Sequence, residues 1–179
     1  MKRILLLLTI VLMPTFTNAQ KASDEKKLKN LVGTLQKGWN TANGEKFASA
    51  FAEPHDFIVW NGFYYKNNTI QNNSETHQWI FNTMYKDTQL YYAIDKIRFL
   101  NENVALLHIL GAVTAKDKTR PKDPQVLITL IAQKQGGHWK IVSFHNLDLE
   151  VFQNEEMRKN SPMPPSVMYA TWYSENTKQ

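Results

Sequence analysis

The order of hydropathy patterns predicts an α+β fold, in which helices come first and cover one face of a curved antiparallel sheet that follows. Two observations carry it. Apolar residues recur at Leu28, Leu31, Val32, Leu35, Trp39 and Ala42, which is one face of a helix. Later, β-rich runs near 89–100, 103–116, 125–135 and 139–151 follow one another. Asn101-Glu102-Asn103 and Gln135-Gly136-Gly137-His138 are short enough to be antiparallel turns, so these runs should form a meander. No internal repeat is present.

The chain opens with Lys2 and Arg3, continues through the apolar stretch Ile4 to Met13, and reaches Thr17-Asn18-Ala19 before Gln20. Charge, apolar core and small residues in that order form a secretory signal. As a membrane anchor the run is too short, since a spanning helix needs about 20 apolar residues, and Pro14 interrupts it. The expected organisation is a signal peptide over 1–19, one domain over 20–152, and a C-terminal extension over 153–179 that is partly docked. The destination is the periplasm or the exterior, with no stable membrane insertion.

Removing 19 of 179 residues leaves 160, enough for a domain that buries about 70% of its unfolded-chain surface. Loss of Lys2 and Arg3 lowers the net charge from +5 to +3. That mild charge, without a basic patch interleaved with aromatics, excludes nucleic acid as the expected partner. The absence of cysteine excludes disulfides, thiolate metal sites and cysteine nucleophiles.

Within the domain, Ser23 is a plausible N-cap with Asp24 and Glu25 in the first turn, and Asn43-Gly44 ends the first helix. Phe47, Ala50 and Phe51 mark a short second helix that closes before Pro54. Asn61-Gly62 lies between two aromatic-rich runs and predicts a two-residue hairpin. A third helix is expected from about Thr69 to Tyr85, with Ile70, His77, Ile80, Phe81 and Met84 along one stripe. In the tail, Pro162, Pro164 and Pro165 favour an extended path. Val167, Met168, Tyr169, Trp172 and Tyr173 are too apolar for a wholly solvated end.

The segments HDFIVWNGFYYKNNTIQNNSETHQWIF, IRFLNENVALLH and GGHWKIVSFHN resemble the SgcJ/EcaC family of SnoaL-like domains, in the nuclear transport factor two-like (NTF2-like) superfamily. The likeness covers roughly residues 24–150. Asp56-Phe57, Gly62, His77, Arg98, Ala105-Leu106 and Asn146 match positions associated with it. It implies a cone, with three helices packed in the concave face of the sheet, a pocket at the wide end, and often a dimer through the sheet. Where relatives usually carry a second glycine before the third helix, this chain has Asn67-Asn68, and Asn tolerates left-handed backbone angles. Members are often labelled oxidoreductases, but no dinucleotide-binding glycine pattern is present, so no cofactor is expected.

The candidate chemistry lies in the histidines. On the last strand Trp139, Ile141, Ser143, His145 and Leu147 alternate with Lys140, Val142, Phe144, Asn146 and Asp148. Lys140 and Asp148 suit water, which places His145 on the concave face, whereas a bulge could turn Asn146 inward. His77 lies in an apolar stripe; if Asp56 receives its N–H, the pair would suit proton transfer near neutral pH. The catalytic candidates are therefore His77, His145 and Asp56. Trp39, Trp60, Tyr92, His108, Trp139 and Asn146 are candidates for ligand contact, although most of the aromatics will be core and His108 alternates like a packing residue. His138 is a turn residue. Histidines at H-x-x-x-H spacing are absent, so no metal is expected. The loop KDKTRPKD, 116–123, should be a solvated hairpin tip, and Val142 and Phe144 offer an outward face for a homodimer. Two functional classes stay open: a binder of a small, largely apolar molecule, and an isomerase, cyclase or hydrolase using histidine acid–base chemistry. A dimerising interaction module is a third.

Overall fold

A computed structural model describes residues 18–175, so the expected signal peptide lies outside the described residues except for Asn18 and Ala19. The first helix, α1, spans Asn18–Asn40 and buries Leu28, Leu31, Val32 and Leu35, the stripe that the sequence marks. Ser23 is not its N-cap. The helix is already formed there, and Asp24 turns inward instead of capping it. Lys134 Nζ, Gln20 Nε2 and Trp139 Nε1 donate to the Asp24 carboxylate at 2.6, 2.8 and 3.0 Å. These bonds pin α1 to the last two strands. The short helix α2, Gly44–Ala48, is capped by Asn43, whose side chain accepts from the Lys46 N–H. It packs so close to α1 that a Cβ on Gly38 would lie 2.5 Å from the Phe47 nitrogen. Only glycine fits there. Phe51 does not extend this helix and already opens a strand.

Six strands form one curved sheet in the order β2-β1-β6-β5-β4-β3. They are β1 Phe51–Ile58, β2 Tyr64–Asn68, β3 Thr88–Asn101, β4 Val104–Ala115, β5 Val126–Gln135 and β6 His138–Asp148. The meander from β3 to β6 is antiparallel throughout. The sheet as a whole is mixed, because β1 pairs with β6 in parallel. This corrects the expectation of a purely antiparallel sheet. Parallel neighbours need a long crossover, and helix α3, Ile70–Asn82, lies within the excursion that returns the chain to β1. The helices are thus not all N-terminal to the sheet. Thr69 caps α3 by accepting from the Asn72 N–H.

The β1–β2 connection is longer than a two-residue turn. Gly62 N–H donates to Val59 O and Val59 N–H to Phe63 O, so Val59 and Phe63 close a three-residue loop, with Gly62 at φ 90°. Asn67 takes the left-handed φ of 48° and donates its N–H to Asp56 Oδ1. Strand β3 is an edge, and side chains of α1 complete it. Asn40 exchanges two hydrogen bonds with the Leu90 backbone, and Gln36 Oε1 accepts from Tyr92 N–H. An edge occupied in this way is blunted against pairing with another chain.

The main core lies between α1–α3 and the inner sheet face, around Leu28, Leu35, Phe47, Phe51, Leu107, Ile109, Leu130 and Ile141. On the outer face, Ala93, Leu110 and Ala112 pack with Leu149 and Trp172 of the C-terminal segment. That segment comprises a 3₁₀ turn, Glu150–Phe152, and the short helices α4 Glu155–Lys159, α5 Pro165–Met168 and α6 Ala170–Glu175. The 116–123 loop is more than a solvated tip. The Arg120 guanidinium lies 3.6 Å from the Trp172 ring centre, Pro121 and Lys122 carbonyls accept from Trp172 Nε1, and Asp123 accepts from the Tyr173 hydroxyl.

Candidate functional site

A cavity of ≈ 440 Å³ opens between α3 and the inner face of the sheet. Its size falls within the range of about 300–1,000 Å³ usual for organic ligands. The sheet supplies Phe57, Tyr92, Phe144 and Asn146, the helices Trp39, Asn73, His77 and Ile80, and the mouth carries Trp60, Phe63, Tyr65, Trp79 and Met84. Gly111 makes room for this arrangement, since a Cβ there would sit 2.9 Å from the Tyr92 ring. No Lys, Arg, Asp or Glu lines the cavity among the described residues. Two other depressions, beside Gly33 between α1 and β3 and beside Gly137 at the β5–β6 turn, have volumes of ≈ 530 and ≈ 640 Å³. Both are more open to solvent and carry lysines on their walls.

His77 lies within the apolar stripe, 7% exposed, with its ring stacked 3.9 Å from that of Phe47. Its Nδ1 lies 2.9 Å from the Asn73 carbonyl oxygen. A carbonyl only accepts, so Nδ1 carries the proton and Nε2 keeps its lone pair. Burial lowers the His77 pKa to about 4, against the carbonyl contact that raises it, with a smaller lowering from His55. Beside it, His55 is buried with Nδ1 at 2.8 Å from the Ala52 oxygen and Nε2 at 2.7 Å from Asn73 Nδ2. Burial lowers its pKa as well.

The histidine pKa values make stability dependent on pH. A ring held neutral in the fold and able to bind a proton when unfolded destabilises the native state as pH falls from 6.5 toward about 4. The full contribution is present above 6.5. The expected loss across that window is about 3 kcal/mol from His77. Denaturant melts at stepped pH check it, and a flat profile between pH 7 and 4.5 would contradict the neutral, buried ring.

The structure gathers some of the sequence candidates and separates others. His77, Trp39, Trp60, Tyr92 and Asn146 line the cavity. His145 does not: it is exposed, on the opposite face from Phe144 and Asn146. The cause is a bulge at Val142. Ile131 pairs with Ser143 and the adjacent Ala132 with Ile141, so one residue of β6 goes unpaired and the alternation changes phase. Trp139 and Ile141 therefore point inward before the bulge, and Phe144 after it. Phe144 stacks on Phe57 at 4.6 Å and is not the outward residue that the uninterrupted alternation suggests. Asp56 does not reach His77; its oxygens accept from Asn67 N–H and the Tyr64 hydroxyl. Trp139 is buried at the other end of the core, bonded to Asp24. His108 is bonded to Thr129, away from the cavity lining. Sequence reasoning missed Asn73, His55, Phe57 and Phe144. Asn73 and His55 carry no spacing signal, because their partnership spans 18 residues.

No family model matches this chain, and no curated protein matches it significantly in sequence. Solved structures do resemble it. A cystatin-like protein of unknown function from Nostoc punctiforme is 22% identical, with TM-score 0.62, over 91% of this chain and 99% of that one. An NTF2-like protein of unknown function from Shewanella oneidensis is 19% identical, with TM-score 0.56, over 70% and 99%. The fold is cystatin-like, of the NTF2-like kind. Its neighbours also include the hexachlorocyclohexane dehydrochlorinase LinA-type3 from Novosphingobium barchaimii, 10% identical, with TM-score 0.62, over 74% of this chain and 91% of that one. At these identities the likeness concerns the NTF2-like fold alone. Among the described residues, no group of three or more His, Asp or Glu side chains could hold a metal, and no helix is long and apolar enough to cross a membrane.

Proposed function

We propose that this NTF2-like chain is an exported SnoaL-like protein of the SgcJ/EcaC kind that binds a small, largely apolar organic molecule in the α3–sheet cavity. The observation that carries the reading is the lining itself: aromatic walls around His77, with no ionisable carboxylate and no lysine or arginine among the described residues. Such a surface gains from burying an apolar ligand and offers little to a charged one. A thermal-shift screen of small aromatic compounds tests it. A binder present at 100 times its Kd stabilises the fold by about 2.7 kcal/mol. If no compound raises the melting temperature, the proposal fails.

A second reading, an enzyme, draws on the unprotonated Nε2 of His77 and on the dehydrochlorinase among the structural neighbours. There His77 would take a proton from a substrate carbon. A base with a pKa near 4 and no carboxylate behind it is a weak proton acceptor at neutral pH, which favours binding without turnover. A dimerising module without a ligand fits less well, because a side-chain-filled cone would leave no cavity. We also propose a homodimer, through outer-face residues such as the exposed Leu147 and not through the buried Phe144. The export proposal puts cleavage before Gln20, within α1.

A further inference from the structure

Three hydrogen-bond acceptors of cavity-lining residues lack donors, and for Asn73 and His77 the reason can be traced atom by atom. The Ala52 carbonyl fixes His55 as the Nδ1–H tautomer, so His55 Nε2 can only accept. Asn73 must then present its Nδ2–H to that nitrogen, at 2.7 Å, which fixes the orientation of the amide. Its Oδ1 is left without a partner, on a side chain that is 1% exposed and lines the cavity. The Asn73 carbonyl fixes His77 in the same tautomer and leaves Nε2 with a lone pair. Asn146 Oδ1, on the facing strand, is also buried without a partner. A buried acceptor left unmade costs about 1–3 kcal/mol, so a ligand that brings donors to these atoms gains what a hydrocarbon does not.

We infer that the ligand of this cavity is a neutral, ring-bearing molecule carrying at least two hydroxyl or N–H groups, received by Asn73 Oδ1, His77 Nε2 and Asn146 Oδ1. This rests on the cavity reading above and narrows it. The apolar walls take the ring, and the donors on the ligand meet the three acceptors. A carboxylate is refused because no cation lines the cavity to receive its charge among the described residues. A purely hydrocarbon ligand would leave the acceptors orphaned, and a site built to bond a hydroxyl discriminates strongly against an analogue that lacks it.

The test compares butylresorcinol, butylbenzene and butylbenzoate, which share an alkylated ring and differ in donors and charge, by calorimetric titration at neutral pH. Butylresorcinol is expected to bind about tenfold or more tightly than butylbenzene, as one net hydrogen bond gives up to about that factor, with butylbenzoate weakest. Asn146→Leu removes one acceptor that bonds nothing in the described chain, so the variant should fold at least as stably as the parent. Its preference for butylresorcinol over butylbenzene should shrink. Equal binding of butylresorcinol and butylbenzene, or tightest binding of butylbenzoate, overturns this inference and leaves the cavity reading standing. Failure of all three probes to bind overturns both. An unchanged preference in Asn146→Leu overturns the assignment of Asn146 as a receiving group.

Discussion

Replacing Asp24 with alanine should destabilise the protein by about 3 kcal/mol, measured by denaturant unfolding at pH 7. The carboxylate is fully buried and receives three donors, two of them from β5 and β6, 110 and 115 residues away in sequence. Its removal leaves the Trp139 indole N–H without an acceptor in a buried site and frees Lys134 to turn to water. The cost of breaking a buried pair is about 3–5 kcal/mol; the lower end applies because Lys134 keeps partial access to solvent. Burial alone would raise the Asp24 pKa, but the bonds from Lys134, Gln20 and Trp139 outweigh it and bring it down to about 2. The sign follows. Its contribution is complete above the unfolded value of 3.8 and is lost as pH falls through about 2. This acid limb lies below the one expected from His77, so the wild type should lose stability in two steps and Asp24→Ala only in the upper one. A variant as stable as wild type at pH 7 would show that α1 docks without this network.

The second large effect is expected at Trp172. This residue is fully buried between the outer sheet face and the 116–123 loop, with its indole N–H shared by two carbonyls and its ring under Arg120. Trp172→Ala should weaken docking of the C-terminal helices by about 3–5 kcal/mol, the usual cost of deleting a large buried aromatic. Limited proteolysis reads this directly, with the variant cut within residues 153–175 and the wild type protected there. Ligand binding should persist, because the cavity lies on the inner face. Equal protection in the two proteins would show that Trp172 does not hold the C-terminal helices on the sheet.

The docking of Trp172 also shows why parts of the molecule are legible in the sequence and others are not. Apolar spacing located α1 and α3, and short turns located the meander, because both signals act within a few residues. The apolar tail residues pointed to a docked end, but nothing local linked Trp172 to Arg120, and a loop of lysines and aspartates has the composition of a solvated one. The same limit governs the site. His77 stood out as a polar residue in an apolar stripe. Its partner could not be read, since the Asn73 carbonyl is a backbone group that competes with any carboxylate and leaves no trace in residue type. The position of His145 was lost to a single extra residue, Val142. One bulge reverses the face of every residue after it, so Phe144 exchanged an imagined interface for the core.

If the α3–sheet cavity receives the ligand, His77 meets it as a neutral acceptor. Nitrogen NMR of the histidine rings during titration with butylresorcinol tests it most directly. His77 should be the neutral Nδ1–H tautomer at pH 7, its Nε2 resonance should move as a hydrogen bond forms, and amide shifts should cluster at Phe57, Asn73, Phe144 and Asn146. A His77 Nε2 signal that stays fixed while shifts gather beside Gly33 or Gly137 would contradict it.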